Sequence, residues 1–135
     1  VGLLEALFSI EADFLPDPER HAMGLHLLLA RPPGEARVAV ADDPGGGVVG
    51  MATAQVLVST AQGTPAALLE DVVVDPSWRG RGIGRRLLED LEGWARAQGV
   101  SRLQLLADRE NATALRFYDA VGWEPTRLVC LRRRL

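Results

Sequence analysis

Lysine is missing from this 135-residue chain: all 15 of its cationic side chains are arginine, set against 18 aspartates and glutamates. Every positive group is therefore a planar guanidinium fork, suited to phosphate or carboxylate and permanently charged. The absence excludes lysine Schiff-base chemistry and a Walker-type phosphate loop, which needs Gly-Lys-Ser/Thr. Cysteine is reduced to Cys130, so no internal disulfide can form, and a cytoplasmic location is the expectation. Histidine occurs twice, at His21 and His26, with no cysteine partners, a pattern that points to no metal site. No apolar run approaches the roughly 18 to 20 residues that span a bilayer, and the first residues lack the order of a signal peptide, so no membrane association is expected. The net charge of −3 argues against a general nucleic-acid binder.

What is present is a globular composition, 47% hydrophobic, in a length that suits one domain over residues 1–135. Residues 3–15 carry Leu3, Leu4, Leu7, Phe8, Ile10 and Phe14 at mostly helical spacing, until Pro16 and Pro18 break the pattern. Residues 19–30 read as a second helix. Three β-type runs follow, at 37–41, 48–59 and 66–74, separated by the turns Asp42-Asp43-Pro44-Gly45-Gly46-Gly47 and Gln62-Gly63-Thr64-Pro65, and suggest an antiparallel meander. The period then changes to 3.6, with Ile83, Leu87, Leu88, Leu91, Trp94 and Ala95 on one face and Gly99 as the stop. A strand over 102–107, a helix over 112–120 and one or two strands within 123–133 complete the order ααβββαβαβ(β). The fold class is thus α/β (α+β), a mixed and mostly antiparallel sheet flanked by helices, with at least one parallel pair near the C-terminal end. Cys130, between Val129 and Leu131, reads as a small core residue of the last strand, and Arg132, Arg133 and Arg134 as a solvated tail.

The join between the third strand and the long helix reads Arg79-Gly80-Arg81-Gly82-Ile83-Gly84-Arg85-Arg86. Four arginines stand where a helix macrodipole is positive and disfavours cations, and a bound anion is the natural compensation. Glycine lets the backbone turn tightly and lets a ligand approach the amides, free N–H groups at the helix start face that ligand, and the guanidinium groups add charge-assisted hydrogen bonds. A dinucleotide-binding turn does not fit, because the glycine spacing differs and an antiparallel meander comes first.

Arg79-x-x-Gly82-x-Gly84 resembles the Arg/Gln-x-x-Gly-x-Gly/Ala signature of the GNAT superfamily of N-acetyltransferases. Residues 69–76, LEDVVVDP, resemble that family's fourth strand, residues 111–118, NATALRFY, its second cofactor motif, and Val121-Gly122-Trp123 its closing strand entry. The likeness covers about residues 36–135. The family's first strand is the one element with no counterpart ahead of the first helix. The resemblance implies acetyl-coenzyme A as cosubstrate, no metal, and transfer of the acetyl group to a primary amine, of a small molecule or a peptide, by direct attack in a ternary complex. It implies that Arg79, Gly80, Arg81, Gly82, Ile83, Gly84 and Arg85 hold the pyrophosphate, and that backbone groups of Val72, Val73 and Val74 pair with the pantetheine arm. Asn111 is expected either to cap its helix or to bond that arm. Glu70 is implied as general base with Asp71 as runner-up, and alternation along a strand puts Glu70, Val72 and Val74 on one face and Asp71 and Val73 on the other. Tyr118, the only tyrosine, is implied as the acid that protonates the departing thiolate, a step open to a phenol of pKa about 10. Glu11, Asp13 and Phe14, in the region that walls the family's acceptor pocket, suit a cationic amine. Family members often form homodimers. The rival expectations are a non-catalytic acyl-coenzyme A sensor of the same fold, and an interaction domain whose arginines meet an acidic partner.

Overall fold

A computed structural model describes residues 1–11 and 13–135. They divide into two compact units, Val1–Leu105 and Leu106–Leu135.

The first unit opens with helices α1 (Gly2–Phe8) and α2 (Pro18–Leu29). Helix α1 is shorter than its apolar spacing predicts. The Ser9 hydroxyl donates to the Glu5 carbonyl at 2.7 Å, a local bond that competes with continuing the ladder, and Glu11, Asp13 and Phe14 follow outside any helix. Ala12 of that predicted helix lies outside the described residues. Helix α2 starts where the sequence allows it: Asp17 accepts from the Arg20 N–H at 3.1 Å, and Pro18 stands in the first turn.

Strands β1 (Ala36–Asp42), β2 (Val48–Ser59) and β3 (Thr64–Val74) form the expected antiparallel meander, and β4 (Leu103–Leu105) joins β3 in parallel, giving the order β1-β2-β3-β4. Between β3 and β4 come one turn of 3-10 helix, Pro76–Trp78, and helix α3 (Ile83–Ala97). One face of the sheet receives α1: Leu4 packs on Met51 and Val73, with Phe8, Leu25 and Val38 around them. The other face receives α3, whose Leu87, Leu88, Leu91 and Ala95 are buried. That helix sits close because Gly50 has no side chain. A Cβ there would stand 3.1 Å from Ile83 Cγ2 and 3.2 Å from Leu87 Cδ1. Arg37 of β1 then reaches over to Asp90 of α3 with two hydrogen bonds of 2.7 and 2.8 Å, which hold the exposed Asp90 carboxyl below its ordinary pKa.

The second unit contains α4 (Ala112–Ala120), with the Trp123 N–H bonded to the Tyr118 carbonyl at 2.9 Å. The strands expected within 123–133 are not formed, and Cys130 is exposed, not a core residue. A strand exists only through a neighbour's ladder, and no strand among the described residues pairs with this segment. Leu128, Val129 and Leu131 are exposed with it. No helix among the described residues is long and apolar enough to cross a membrane.

The Gly50 contact gives a direct test. Gly50→Val should destabilise the fold by about 1–3 kcal/mol through overpacking against Ile83 and Leu87, read as a lower urea midpoint at unchanged slope.

Candidate active site

Strand β3 changes register in its second half. Thr53 faces Glu70, whereas Met51 faces Val73 and Gly50 faces Val74, so β3 carries one extra residue between these pairs. Asp71 supplies the distortion: its φ is +54°, the one non-glycine residue with positive φ among those described. Aspartate tolerates this left-handed conformation better than most residues because its short polar side chain bonds locally. Here Thr53 provides the bond. Its side chain, almost fully buried, places Oγ1 3.1 Å from the Glu70 carbonyl and 3.0 Å from Asp71 Oδ2. The hydroxyl has one proton for two acceptors, shared between the Glu70 carbonyl and the Asp71 carboxyl.

The bulge overturns the alternation expected from sequence. Directly paired residues share a face, so Glu70 lies with Thr53, Met51 and Val73 on the α1 side, and Val74 lies with Gly50 on the α3 side. The Asp71 carboxyl reaches Thr53 and therefore the same side as Glu70, not the opposite one. Two adjacent carboxyls thus stand on one face. Loss of water raises the Glu70 pKa, and the neighbouring Asp71 charge raises it further. The residue as a whole remains exposed. Desolvation also raises the Asp71 pKa, opposed by the Thr53 hydrogen bond. His21 is held by a stack on Phe8, 4.9 Å between ring centroids, and by its Nε2 accepting from the Asp17 N–H at 3.0 Å. Phe14 meets Phe8 edge-on at 5.5 Å, which places it beside this aromatic group. Glu11 is partly buried and Asp13 exposed.

Toward β4, pairing runs from Ala67 with Leu103 to Leu69 with Leu105 and ends there. Beyond it, Val72, Val73 and Val74 have no strand on that side among the described residues, although the Val74 carbonyl accepts from Arg79 Nε at 3.1 Å. The chain then turns at Asp75, which accepts from both the N–H and the hydroxyl of Ser77, at 2.9 and 2.6 Å. Gly80 and Gly82 follow with φ of +74° and +78°, and a Cβ on either would meet nothing within 4 Å. Conformation, not space, calls for glycine here. Gly82 is the N-cap of α3 and offers no side chain, so the first-turn amides of Ile83, Gly84 and Arg85 have no side-chain cap. Arg81 lies over the Trp78 ring, 4.6 Å from its centroid, and no ion pair among the described residues involves Arg79, Arg81, Arg85 or Arg86.

In the second unit, Asn111 Oδ1 accepts from the Ala114 N–H at 3.1 Å and caps α4. The cap uses the amide's acceptor and leaves its NH2 donors for another contact, so the two expected roles are compatible. Tyr118 is partly buried, between Phe117 at 5.3 Å and Trp123 at 6.1 Å. Among the described residues no group of three or more His, Cys, Asp or Glu side chains is placed to hold a metal.

The profile of the acetyltransferase (GNAT) family matches residues 4–123, across both units. The chain belongs to the GNAT family. An aminoglycoside N(6')-acetyltransferase type 1 of Stenotrophomonas maltophilia is 32% identical over 117 residues, 84% of this chain and 75% of that protein. The N-alpha-acetyltransferase RimI of Mycobacterium tuberculosis is 49% identical over 61 residues, 45% of this chain but 35% of that protein, so some GNAT relatives extend well beyond the matched region. Among solved structures, an aminoglycoside acetyltransferase, meta-AAC0020, from a soil metagenomic sample superposes with a TM-score of 0.79 at 27% identity, covering 99% of this chain and 84% of that one. The structure of AAC(6')-Iy with a bisubstrate analogue of coenzyme A and acetylneamine superposes at 0.71 and 26% identity, covering 89% and 82%.

Sequence reasoning named Asp71 only as a substitute for Glu70 and overlooked Thr53 and His21. A threonine inside a valine- and alanine-rich strand carries no local signal, and its partner is 18 residues away.

The two raised carboxyls make a stability prediction. A carboxyl whose folded pKa exceeds its unfolded value binds a proton more readily when folded, so stability falls as pH rises through that interval and stays reduced above it. Glu70→Gln should therefore raise Tm at pH 7, and the gain should shrink as pH is lowered, vanishing below about pH 4, where both states of the wild type are protonated. Calorimetry of the two proteins at pH 4, 5.5 and 7 checks this.

Proposed function

We propose that the chain, as a single domain over residues 1–135, is an N-acetyltransferase that uses acetyl-coenzyme A to acetylate a primary amine. The observation that carries the reading is the open, left-handed glycine turn before an α-helix whose N-cap has no side chain, flanked by arginines that form no ion pair among the described residues. This is a site for a polyanion, and in a GNAT chain the fitting polyanion is the coenzyme A pyrophosphate.

The amides after Gly82, with Gly80, Ile83, Gly84 and the forks of Arg79, Arg81 and Arg85, hold that group. The unpaired side of Val72 and Val73 offers backbone donors and acceptors to the pantetheine arm as an added strand would, and the Asn111 NH2 supplies a further donor. When bound, acetyl-coenzyme A supplies an activated acetyl group and a thiolate leaving group. Glu70 takes a proton from the acceptor's ammonium, and the free amine so formed attacks the thioester carbonyl. Its raised pKa suits that task, because a base works best when its pKa approaches the operating pH. Tyr118 gives its phenolic proton to the leaving sulfur. Glu11, Asp13 and Phe14 select a cationic acceptor, and attack is direct, in a ternary complex. The small-molecule amine is favoured over a peptide terminus because the likeness to aminoglycoside N(6')-acetyltransferases extends over most of both chains.

Acetyl-coenzyme A at about 100 times its Kd should stabilise the protein by roughly 2.7 kcal/mol, with coenzyme A acting similarly and ATP far less. No shift with either coenzyme A species removes the cofactor reading. With an amine panel that includes aminoglycosides, thiol release should fall about 10²-fold or more in Glu70→Gln and in Tyr118→Phe while acetyl-coenzyme A affinity holds. Binding without release for any amine would identify a sensor instead of an enzyme.

A further inference from the structure

The Thr53 hydroxyl stands within hydrogen-bond distance of two consecutive residues of β3, the backbone carbonyl of Glu70 and the carboxyl of Asp71. Such a double contact from a residue 1% exposed is a clasp on the bulge, and Asp71 is the residue whose backbone pays a conformational cost to be there. Without the bulge, alternation would send the side chain of Asp71 to the α3 face, away from Glu70. With it, both carboxyls share the α1 side.

We propose that Asp71, clasped by Thr53, is a positioning residue that fixes where the Glu70 carboxyl stands on the acceptor face. The proposal rests on Glu70 being the base. Three observations support it: the register shift between Glu70 and Val73, which takes in Asp71, the left-handed φ at Asp71, and the paired contacts of Thr53. The electrostatics agree, since Asp71 is the one neighbouring charge that acts on Glu70. On the helices of this face the titratable groups include Glu5 of α1 and His21 of α2, whose Nε2 accepts from the Asp17 N–H. Helix α3 and its charges pack on the opposite face, with Gly50 and Val74.

The clasp and the charge separate by mutation. Asp71→Asn keeps a side chain that tolerates left-handed backbone and can donate to Thr53 Oγ1, but removes the charge. Thr53→Val keeps the shape and removes the hydroxyl, and Thr53→Ser keeps the hydroxyl. The experiment follows the Glu70 carboxyl through its 13C shift against pH in the full chain, the resonance assigned by its loss in Glu70→Gln. The Glu70 midpoint should fall by roughly half a pH unit or more in Asp71→Asn, from loss of the adjacent charge. It should fall as well in Thr53→Val, where the unclasped strand lets the carboxyl regain water, and remain at the wild-type value in Thr53→Ser. An unchanged midpoint in Asp71→Asn overturns the proposal, as does a serine variant that behaves like the valine one. If Thr53→Val does not fold, Asp71→Asn decides alone. The titration uses neither acyl donor nor amine, so its failure is distinct from failure of the acetyl-coenzyme A shift or of amine-dependent thiol release, which would remove the reaction itself.

Discussion

Strand β3 must pair with β2 along its whole length and with β4 along only part of it, and the bond that reconciles the two is the Thr53 hydroxyl. Before Glu70 the strand is an ordinary interior member of the sheet, with Leu69 and Ala67 buried. At Asp71 the backbone enters a left-handed conformation, and from there the register against β2 is offset by one. A bulge increases local twist and redirects side chains. In this chain it carries two carboxyls to the α1 face while the β4 side of Val72 and Val73 goes without a strand partner. An extra residue in an interior strand would be costly if its polar groups were left unmade. Thr53 satisfies the Glu70 carbonyl and the Asp71 carboxyl together, which is why a buried polar residue is tolerated in the middle of β2.

Much of the frame was legible from residue pattern. The limits of β2 and of α4 coincide with those read from the sequence, because glycine and proline turns bound the one and the Asn111 cap and Gly122 the other. The glycine-arginine turn was legible for the same reason: glycine with positive φ leaves a mark in composition. Three features were not. At the end of α1 a serine hydroxyl returns to the Glu5 carbonyl, a small signal against the apolar residues that continue past it. The segment from 123 has an apolar run suited to a strand, Leu128 to Leu131, but not the neighbour that a strand requires, and composition reports a residue's preference without its partner. The face assignment of Glu70 failed because strict period-two counting has no term for an inserted residue, and nothing in Glu-Asp-Val-Val-Val announces one.

The arginines at the start of α3 are costly to the free protein. Helix α3 has no acid in its first turn and places Arg85 and Arg86 there, where cations oppose the macrodipole by about 0.3–1 kcal/mol each at exposed positions. Arg79 and Arg81 are steadied by the Val74 and Ser77 carbonyls and by the Trp78 ring. The carboxyls on the other face carry a penalty of opposite sign, since burial disfavours their ionised forms. Simple proximity would let acid and guanidinium neutralise each other and relieve both.

The sheet prevents that cancellation. Glu70 lies with Thr53 and Val73 on the face that α1 covers, and α3 lies with Gly50 and Val74 on the opposite one. Closing the gap would require slipping β3 by one residue, which would move Val73 out of the core it shares with Leu4 and Met51. The same register that buries Val73 therefore keeps the acidic and basic groups apart. Each set retains an unmet demand for charge of the other sign, and under the proposed reaction those demands are met by an ammonium acceptor on one face and a pyrophosphate on the other. The strand between them is where an amine and an acyl group would have to meet, so the separation that costs the free protein stability also fixes the direction from which each substrate arrives.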